Sequence, residues 1–475
     1  MHMDSSDNIY HLEEAGADEL SFTWAAPFVV LAGGIGIGLL VVKLPTYFAL
    51  AVMVAVILGL ALVRNLQFGL ILLFYISAFA LGESPGVQSP NSSYSQGLMP
   101  SELLLGFLVM LWIGRGAFTG GIRIRKSALN LPMVVLWVVA FISLLMNNIL
   151  RGTRELLFHQ MWITQIAEVG LLTFSIWAFF LTASVLDSKR WINRIYLPVV
   201  LMGSIIAAYQ ITRFAPLAFP FMWGSFLMAA AIAFVYSRLL FSKLDTKQIV
   251  GLSILLAMLI VGVLIDLAWV SGWIACMGVV LVVSWFRSKP LAIGLTVCLL
   301  FMLFVYPGVY SSIHEESVFG GDFDRFTIWR DAALMVMDVN PVLGVGPGNY
   351  HPYVYWHNTI WFGSTTYTTA HSNYAQMLAE LGVVGLLAFL WVIAAAIVTG
   401  VRAYRRCAPE HRWLAVSATA MVSALAVASL FGDYLFPSRG NNGIVTFGTT
   451  VYTWLIMGAA VAASDLPEGE SESAT

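Results

Sequence analysis

Apolar runs of about 17–25 residues recur along this chain, each bounded by charge, proline or glycine, and that recurrence leaves little choice of fold. A helix of about 20 apolar residues crosses a hydrocarbon layer about 30 Å thick and satisfies its own backbone hydrogen bonds on the way. A membrane barrel would need strands alternating apolar and polar, whereas the runs here are continuous. Composition agrees, because 59% of the 475 residues are apolar, 11% are charged and mean hydropathy is +0.83, too little polar surface to coat a soluble particle. The expected fold class is all-α, a polytopic transmembrane helix bundle of about 14 spans with one long, partly helical extracytoplasmic loop.

The runs place spans near 24–42, 46–63, 66–81, 100–114, 128–146, 162–186, 195–213, 217–240, 249–270, 272–286, 290–306, 373–399, 413–432 and 444–463. Five regions follow: an acidic cytosolic tail (1–20), a first membrane bundle (21–306), the outer loop (307–372), a second bundle (373–463) and a cytosolic tail (464–475). With the N-terminus inside, Arg64, Arg115, Arg123, Arg125, Lys126, Lys189, Arg190, Arg194, Arg238, Lys243, Lys247, Arg287, Lys289, Arg402, Arg405, Arg406 and Arg412 fall on the cytoplasmic side. That is 17 of the 24 cations, as the positive-inside rule requires. The acidic start, Asp4 to Glu19, lacks the basic region of a cleaved signal peptide, so the first span is expected to be the insertion signal.

Lys43, Arg151, Arg154, Arg213, Arg325, Arg330 and Arg439 then lie outside, with His159, His314, His351, His357 and His371. Arginine presents a planar fork suited to phosphate oxygens, although outer arginines also snorkel to headgroups or pair with acids such as Glu315, Glu316, Asp322 and Asp324. Glu168, Asp266 and Glu380 sit within spans, where an ionisable group costs at least ~2.5–3.5 kcal/mol and should face a protein-lined or watery cavity. Cys276, Cys298 and Cys407 have neither metal-site spacing nor an evident disulfide partner. No basic field of the kind that binds nucleic acid occurs, so nucleic acid is not an expected partner, and neither a metal nor another cofactor is expected.

The loop from Pro307 to His371 is too aromatic for disorder. Phe326, Trp329, Ala333, Val336 and Met337 recur at helical spacing until Asn340-Pro341, which predicts an amphipathic helix on the membrane surface with Asp324 as its cap. Gly344, Gly346 and Gly348 at alternate positions form either an anion-binding nest or a plain turn. The aromatic stretch Tyr353–Tyr367, with Trp356 and Trp361, either packs on sugar rings or forms an interfacial belt. His371 opens the twelfth span, where the positive end of the helix dipole favours a neutral imidazole. It is either a general base or a cap.

The order Arg325-x-x-x-Trp329, Asn340-Pro341-Val342-Leu343-Gly344-Val345-Gly346-Pro347-Gly348-Asn349-Tyr350, and His371-Ser372-Asn373-Tyr374 leading into Glu380-Leu381-Gly382-Val383-Val384-Gly385 resembles the O-antigen ligase and polysaccharide polymerase superfamily. The resemblance is densest over 325–385. It implies a bacterial inner-membrane glycosyltransferase with its site facing the periplasm. Such an enzyme moves a glycan from undecaprenyl pyrophosphate to a hydroxyl of lipid A core or a growing polysaccharide, without metal or other cofactor. By position, His371 matches the histidine that deprotonates the acceptor and Arg325 the pyrophosphate-binding arginine. Arg330 and Arg213 are nominated as further pyrophosphate ligands, and Arg151, Arg154, Gly346, Gly348 and Tyr374 as substrate contacts. Members often carry a Ser-Arg-Gly stretch in an earlier span, whereas the comparable Trp269-Val270-Ser271-Gly272-Trp273 has no arginine, and Arg213 is the nominated substitute.

Two other classes fit the same sequence. A transporter or flippase of lipid-linked glycan would use the outer arginines as a release site, yet no internal repeat is visible. An accessory subunit of a polysaccharide export complex would need no catalytic groups.

Overall fold

The computed structural model describes residues 59–78, 100–118, 121–149, 161–214, 224–265, 270–305, 318–319, 323–354, 370–438 and 447–466. The chain divides into two compact units between Asn65 and Leu66, and every element named below belongs to the second. From the third onward, each expected span meets a helix: α1 (Leu66–Ile76), α2 (Pro100–Phe118), α3 (Asn130–Ile149), α4 (Met161–Val185), then, after the short α5 (Lys189–Arg194), α6 (Tyr196–Thr212), α7 (Gly224–Phe241), α8 (Thr246–Ile265), α9 (Val270–Arg287) and α10 (Lys289–Val305). The outer loop contributes a two-stranded antiparallel ribbon, β1 (Val318–Phe319) and β2 (Phe323–Asp324), followed by α11 (Arg325–Val339). Then come α12 (Asn373–Arg406), α13 (Arg412–Ala428) and α14 (Phe447–Ser464). The first expected span and residues 46–58 of the second lie outside the described residues. Among the described residues, nine helices are long and apolar enough to cross a membrane, with α1, α9 and α10 apolar but shorter.

Burial sorts the helices into centre and rim. The spanning windows ending in α13 and α14 are 83% and 89% buried, against 17% for α8, so α13 and α14 form the axis and α8 presents its aliphatic surface outward. Small residues make this closeness possible, as in the Gly-Ala-Ala-Val-Ala-Ala stretch of α14, where a Cβ on Gly458 would stand 2.7 Å from the Phe179 carbonyl oxygen of α4. α13 packs most extensively on α9, and α14 on α4.

Two helix ends differ from the sequence expectation for identifiable reasons. α13 stops at Ala428 instead of 432 because residues 429–438 turn back across the end of the bundle. α12 continues to Arg406 instead of 399, since Gly400 and Ala403 remain buried and Arg405 and Arg406 complement the negative end of the helix dipole.

The feature that shapes the outer end is a break inside α12. At Gly382 the backbone adopts φ 68°, ψ −166°, a region essentially confined to glycine, and the helical bonds from Val383 to Ala379 and from Val384 to Glu380 give way. All four polar groups find partners in the glycine loop. The Val383 amide donates to Pro341 O at 2.9 Å and the Val384 amide to Val342 O at 3.3 Å, while the Val345 and Gly346 amides donate to Ala379 O and Glu380 O, each at 2.9 Å. Gly344 and Gly382 face each other so closely that a Cβ on Gly382 would lie 2.3 Å from Val342 O and one on Gly344 2.5 Å from the Glu380 carbonyl carbon.

α11 runs where the sequence places it, and a second apolar stripe, which shares Val336 with the expected one, is buried against protein. Ala332, Met335 and Val336 pack with Val345, Tyr350, Val354, Ala370 and Ala379 into a small core of the loop, and Ile328 is buried too. Phe326 is instead 70% exposed and Met337 56%, leaving an outward apolar face. Gly382→Ala would need both a strained backbone and a displaced loop. It is expected to destabilise the fold by roughly 2 kcal/mol or more, seen as a lower thermal unfolding midpoint in detergent. An unchanged midpoint would mean that the break does not carry the loop.

Candidate functional site

The site grows from the start of α12. Ser372 is its cap, accepting from the Ala375 amide at 3.4 Å, and places His371 just outside the helix with φ 47°, a left-handed conformation uncommon for a residue with a side chain. Asn373 is saturated. Its amide donates to Ser429 O and Gly432 O, its Nδ2 to Phe436 O at 2.8 Å and Asp433 Oδ1 at 3.3 Å, and its Oδ1 accepts from the Leu435 and Phe436 amides. Tyr374 Oη donates to Ala426 O at 2.8 Å. The His-Ser-Asn-Tyr segment is thus bolted to the 429–436 turn that follows α13.

Arg325 meets the same turn from the other side. Its side chain is only 7% exposed, Nη1 donates to Phe431 O at 2.6 Å, and the guanidinium lies over the Phe431 ring at 5.8 Å. One helical turn on, Trp329 Nε1 donates to Ala370 O, the carbonyl just before His371, at 3.1 Å. Arg325 and His371 are therefore brought against one turn by α11 and α12 respectively. Burial, and after it the nearby Arg325 charge, pull the His371 imidazole down from its ordinary value near 6.5 to about 4. The ring is neutral at pH 7 and able to accept a proton. Folding keeps it neutral where the unfolded chain would protonate, so this group's share of stability is held above pH 6.5 and lost as pH falls from there toward 4.

Behind His371 the Ala370 amide donates to Gln376 Oε1 at 3.2 Å, and Gln376 Nε2 donates to Glu380 Oε1 at 2.7 Å. The buried Glu380 carboxyl also receives the Tyr350 amide at 3.4 Å and the Gly348 amide. The amides of the glycine loop therefore close on the protein's own Glu380 side chain and helix backbone. Gly346 and Gly348 here are a docking turn, with Gly348 pressed to the Thr164 carbonyl of α4. Ser143 Oγ lies within hydrogen-bond distance of Leu343 O (2.7 Å) and Glu380 O (3.0 Å), and Gln165 Nε2 donates to Asn349 Oδ1 at 2.8 Å, so α3 and α4 hold the loop from below. Glu168 and Glu380, with Asn373, Gln376 and Ser438, supply the polar part of a small, mainly apolar cavity of about 30 Å³, room for about one water.

The other nominated residues are not gathered with this pair. Arg330 is 64% exposed and pairs with its neighbour Asp331 at 3.0 Å. Among the described residues, Arg213 finds its partners on its own helix, Gln210 Oε1 at 2.7 Å and the Tyr209 ring. Arg151, Arg154, Trp356 and Trp361 lie outside the described residues. Tyr374 is close to His371 in sequence, but its hydroxyl is engaged by backbone. Sequence reasoning missed the 429–436 turn altogether. Its only signal was Gly432-Asp433, a turn pair at the end of an apolar run. Ser271 meets this turn too, its Oγ 2.7 Å from Tyr434 Oη. Among the described residues, no group of three or more His, Cys, Asp or Glu is placed to hold a metal ion.

Residues 253–390 match the family model described as O-antigen ligase, a segment that contains α11, the glycine loop, the α12 break, Arg325 and His371. That match supports the O-antigen ligase and polymerase superfamily that the sequence resembles, and with it a membrane protein of polysaccharide or lipopolysaccharide biosynthesis. No curated protein matches the chain.

If Arg325 helps hold the imidazole neutral, Arg325→Gln raises the pH at which His371 titrates. Diethyl pyrocarbonate modification of the His371 peptide, followed by mass spectrometry across pH 3.5–7.5, checks this about the value near 4. A midpoint that stays put in the variant would mean that the charge does not reach the ring.

Proposed function

We propose that this chain transfers a glycan from undecaprenyl pyrophosphate to an acceptor hydroxyl at the periplasmic face of the inner membrane, with His371 as general base and Arg325 as pyrophosphate ligand. The observation that carries the reading is the pair itself, a guanidinium withdrawn from water and a neutral imidazole against one turn, inside the segment that matches the O-antigen ligase family.

In the reaction the acceptor oxygen attacks the anomeric carbon, its proton passes to the His371 imidazole, and the bond from that carbon to the pyrophosphate oxygen breaks with its electron pair leaving on the lipid pyrophosphate. Negative charge grows on the leaving group, and a guanidinium fixed in a site of low polarity stabilises it more than one in water does. Phe431 O orients that fork before substrate arrives. His371, already neutral, needs no prior deprotonation at pH 7. Glu380 and Gln376 act one step back, fixing the Ala370 amide and so the direction in which His371 leaves the helix. No step calls on a metal. The acceptor is the hydroxyl of lipid A core or of a growing polysaccharide, as the superfamily divides between ligation and polymerisation.

Purified protein in vesicles, given a lipid-pyrophosphate glycan and an acceptor, should form a new glycosidic bond detectable by mass spectrometry, and should do so in the presence of EDTA. His371→Ala should lower the rate about 10²–10⁴-fold and Arg325→Gln about 10²-fold or more, with the unfolding midpoint retained. Full turnover in His371→Ala would remove the base assignment. Movement of donor across the bilayer without a new bond would favour the transporter reading.

A further inference from the structure

The opposite end of α12 carries a second polar site that the transfer reaction does not use. A cleft of about 240 Å³ opens between the 126–128 segment, the last turns of α12 and the end of α14, lined by Lys126, Ser127, Thr399, Arg402, Arg406 and Ser464 among others. Thr399, Arg402 and Arg406 follow one another at intervals of three and four residues and so share a face of the helix. Three cations converge with no carboxylate in the lining. Among the described residues, none of the three forms an ion pair.

Thr399 supplies an independent sign of a missing partner. It is 4% exposed, yet its hydroxyl has no hydrogen-bond partner. A helical threonine ordinarily turns its hydroxyl to the carbonyl four residues back, as Thr419 does to Ala415 and Thr296 to Ala292. The walls are already fixed. Ser127 Oγ donates to Asn130 Oδ1, Asn130 Nδ2 to Arg125 O at 2.8 Å, and Arg125 Nη1 to Ala183 O and Leu186 O. Arg125 is also 3.7 Å from Asp465, which pairs with the cleft's frame.

We propose that this cleft binds the phosphate of an acidic phospholipid headgroup. Two guanidiniums, an ammonium and a hydroxyl are a donor set for phosphate oxygens. The volume accommodates a phosphodiester with a small alcohol. Position selects a lipid source, because Thr399 ends an apolar run of α12 and the arginines begin directly after it, at the depth where headgroups lie. Buried Ala403 and Val461 give the cleft an apolar side for the glycerol backbone.

The full-length protein in detergent, titrated with phosphatidylglycerol or with phosphatidylcholine of the same acyl chains and observed by native mass spectrometry, tests the site. Phosphatidylglycerol should be retained and phosphatidylcholine not. The double variant Arg402→Gln/Arg406→Gln should bind phosphatidylglycerol about 30-fold more weakly, and the near-isosteric Thr399→Val should weaken it with its elution profile on size exclusion unchanged. Equal retention of the two lipids, or wild-type binding in the variants, would overturn the proposal. So would two other results: stabilisation by inorganic phosphate as strong as by phosphatidylglycerol, which assigns a soluble ligand, or binding that emerges only on deleting residues 467–475, whose Glu468, Glu470 and Glu472 would then be the anion.

Discussion

The exchange of backbone hydrogen bonds between the glycine loop and the break at Gly382 governs how the outer end of this protein is built. A helix interrupted inside a membrane leaves amides and carbonyls that lipid cannot satisfy. Here the two bonds that fail, 383 to 379 and 384 to 380, are each replaced by a pair of bonds to residues 341–346. The loop therefore cannot leave without exposing the helix, and the helix cannot straighten without expelling the loop. A segment of the kind that is ordinarily mobile becomes as fixed as the bundle beneath it.

That rigidity reaches the candidate site through side chains. Glu380, whose carbonyl takes part in the bonds just described, gathers with its side chain the amides of Gly348 and Tyr350 and holds Gln376, which receives the amide of Ala370. Asn373 and Ser372 tie the same helix end to the 429–436 turn, and Arg325 closes on that turn from α11. Arginine and histidine of opposite chemical duty can stand close only if the histidine stays neutral, because two adjacent cations in a half-buried site repel. Burial first, and the Arg325 charge after it, account for the low proton affinity of His371.

Much of this was legible beforehand, for definite reasons. Spans are written in long apolar runs that hardly any other structure tolerates, so helices appear from Leu66 to Ser464 where hydropathy places them. The limits of α11 follow from Asn340-Pro341. His371 and Arg325 stood out through their motif, which the family match covers. What stayed hidden depends on tertiary partners. Periodicity showed that α11 is amphipathic but not which of two apolar stripes faces protein, and the structure chose Ile328, Ala332, Met335 and Val336 over Phe326 and Met337. The glycines of 344–348 also read as a nest for a ligand, because nothing local reveals that Glu380, 30-odd residues away, will take the Gly346 amide on its backbone carbonyl and the Gly348 amide on its side chain. The 429–436 turn looked like the tail of a span, since Leu430, Phe431, Leu435 and Phe436 are apolar and the groups that hold their backbone in a bend, Asn373, Arg325 and Trp454, lie far off in sequence.

The break in α12 also sets a ruler. Between Ser372 and Gly382 stand residues 373–381, helical throughout, with the 429–436 turn clamped at one end and the glycine loop at the other. Each residue advances an α-helix by about 100° and 1.5 Å. Adding or removing a single residue there would swing the imidazole through more than a quarter circle relative to Arg325, while the same change beyond Arg406 would leave their phase untouched. The chain past Arg406 is therefore free to vary in length without disturbing that phase, and residues 373–381 are not.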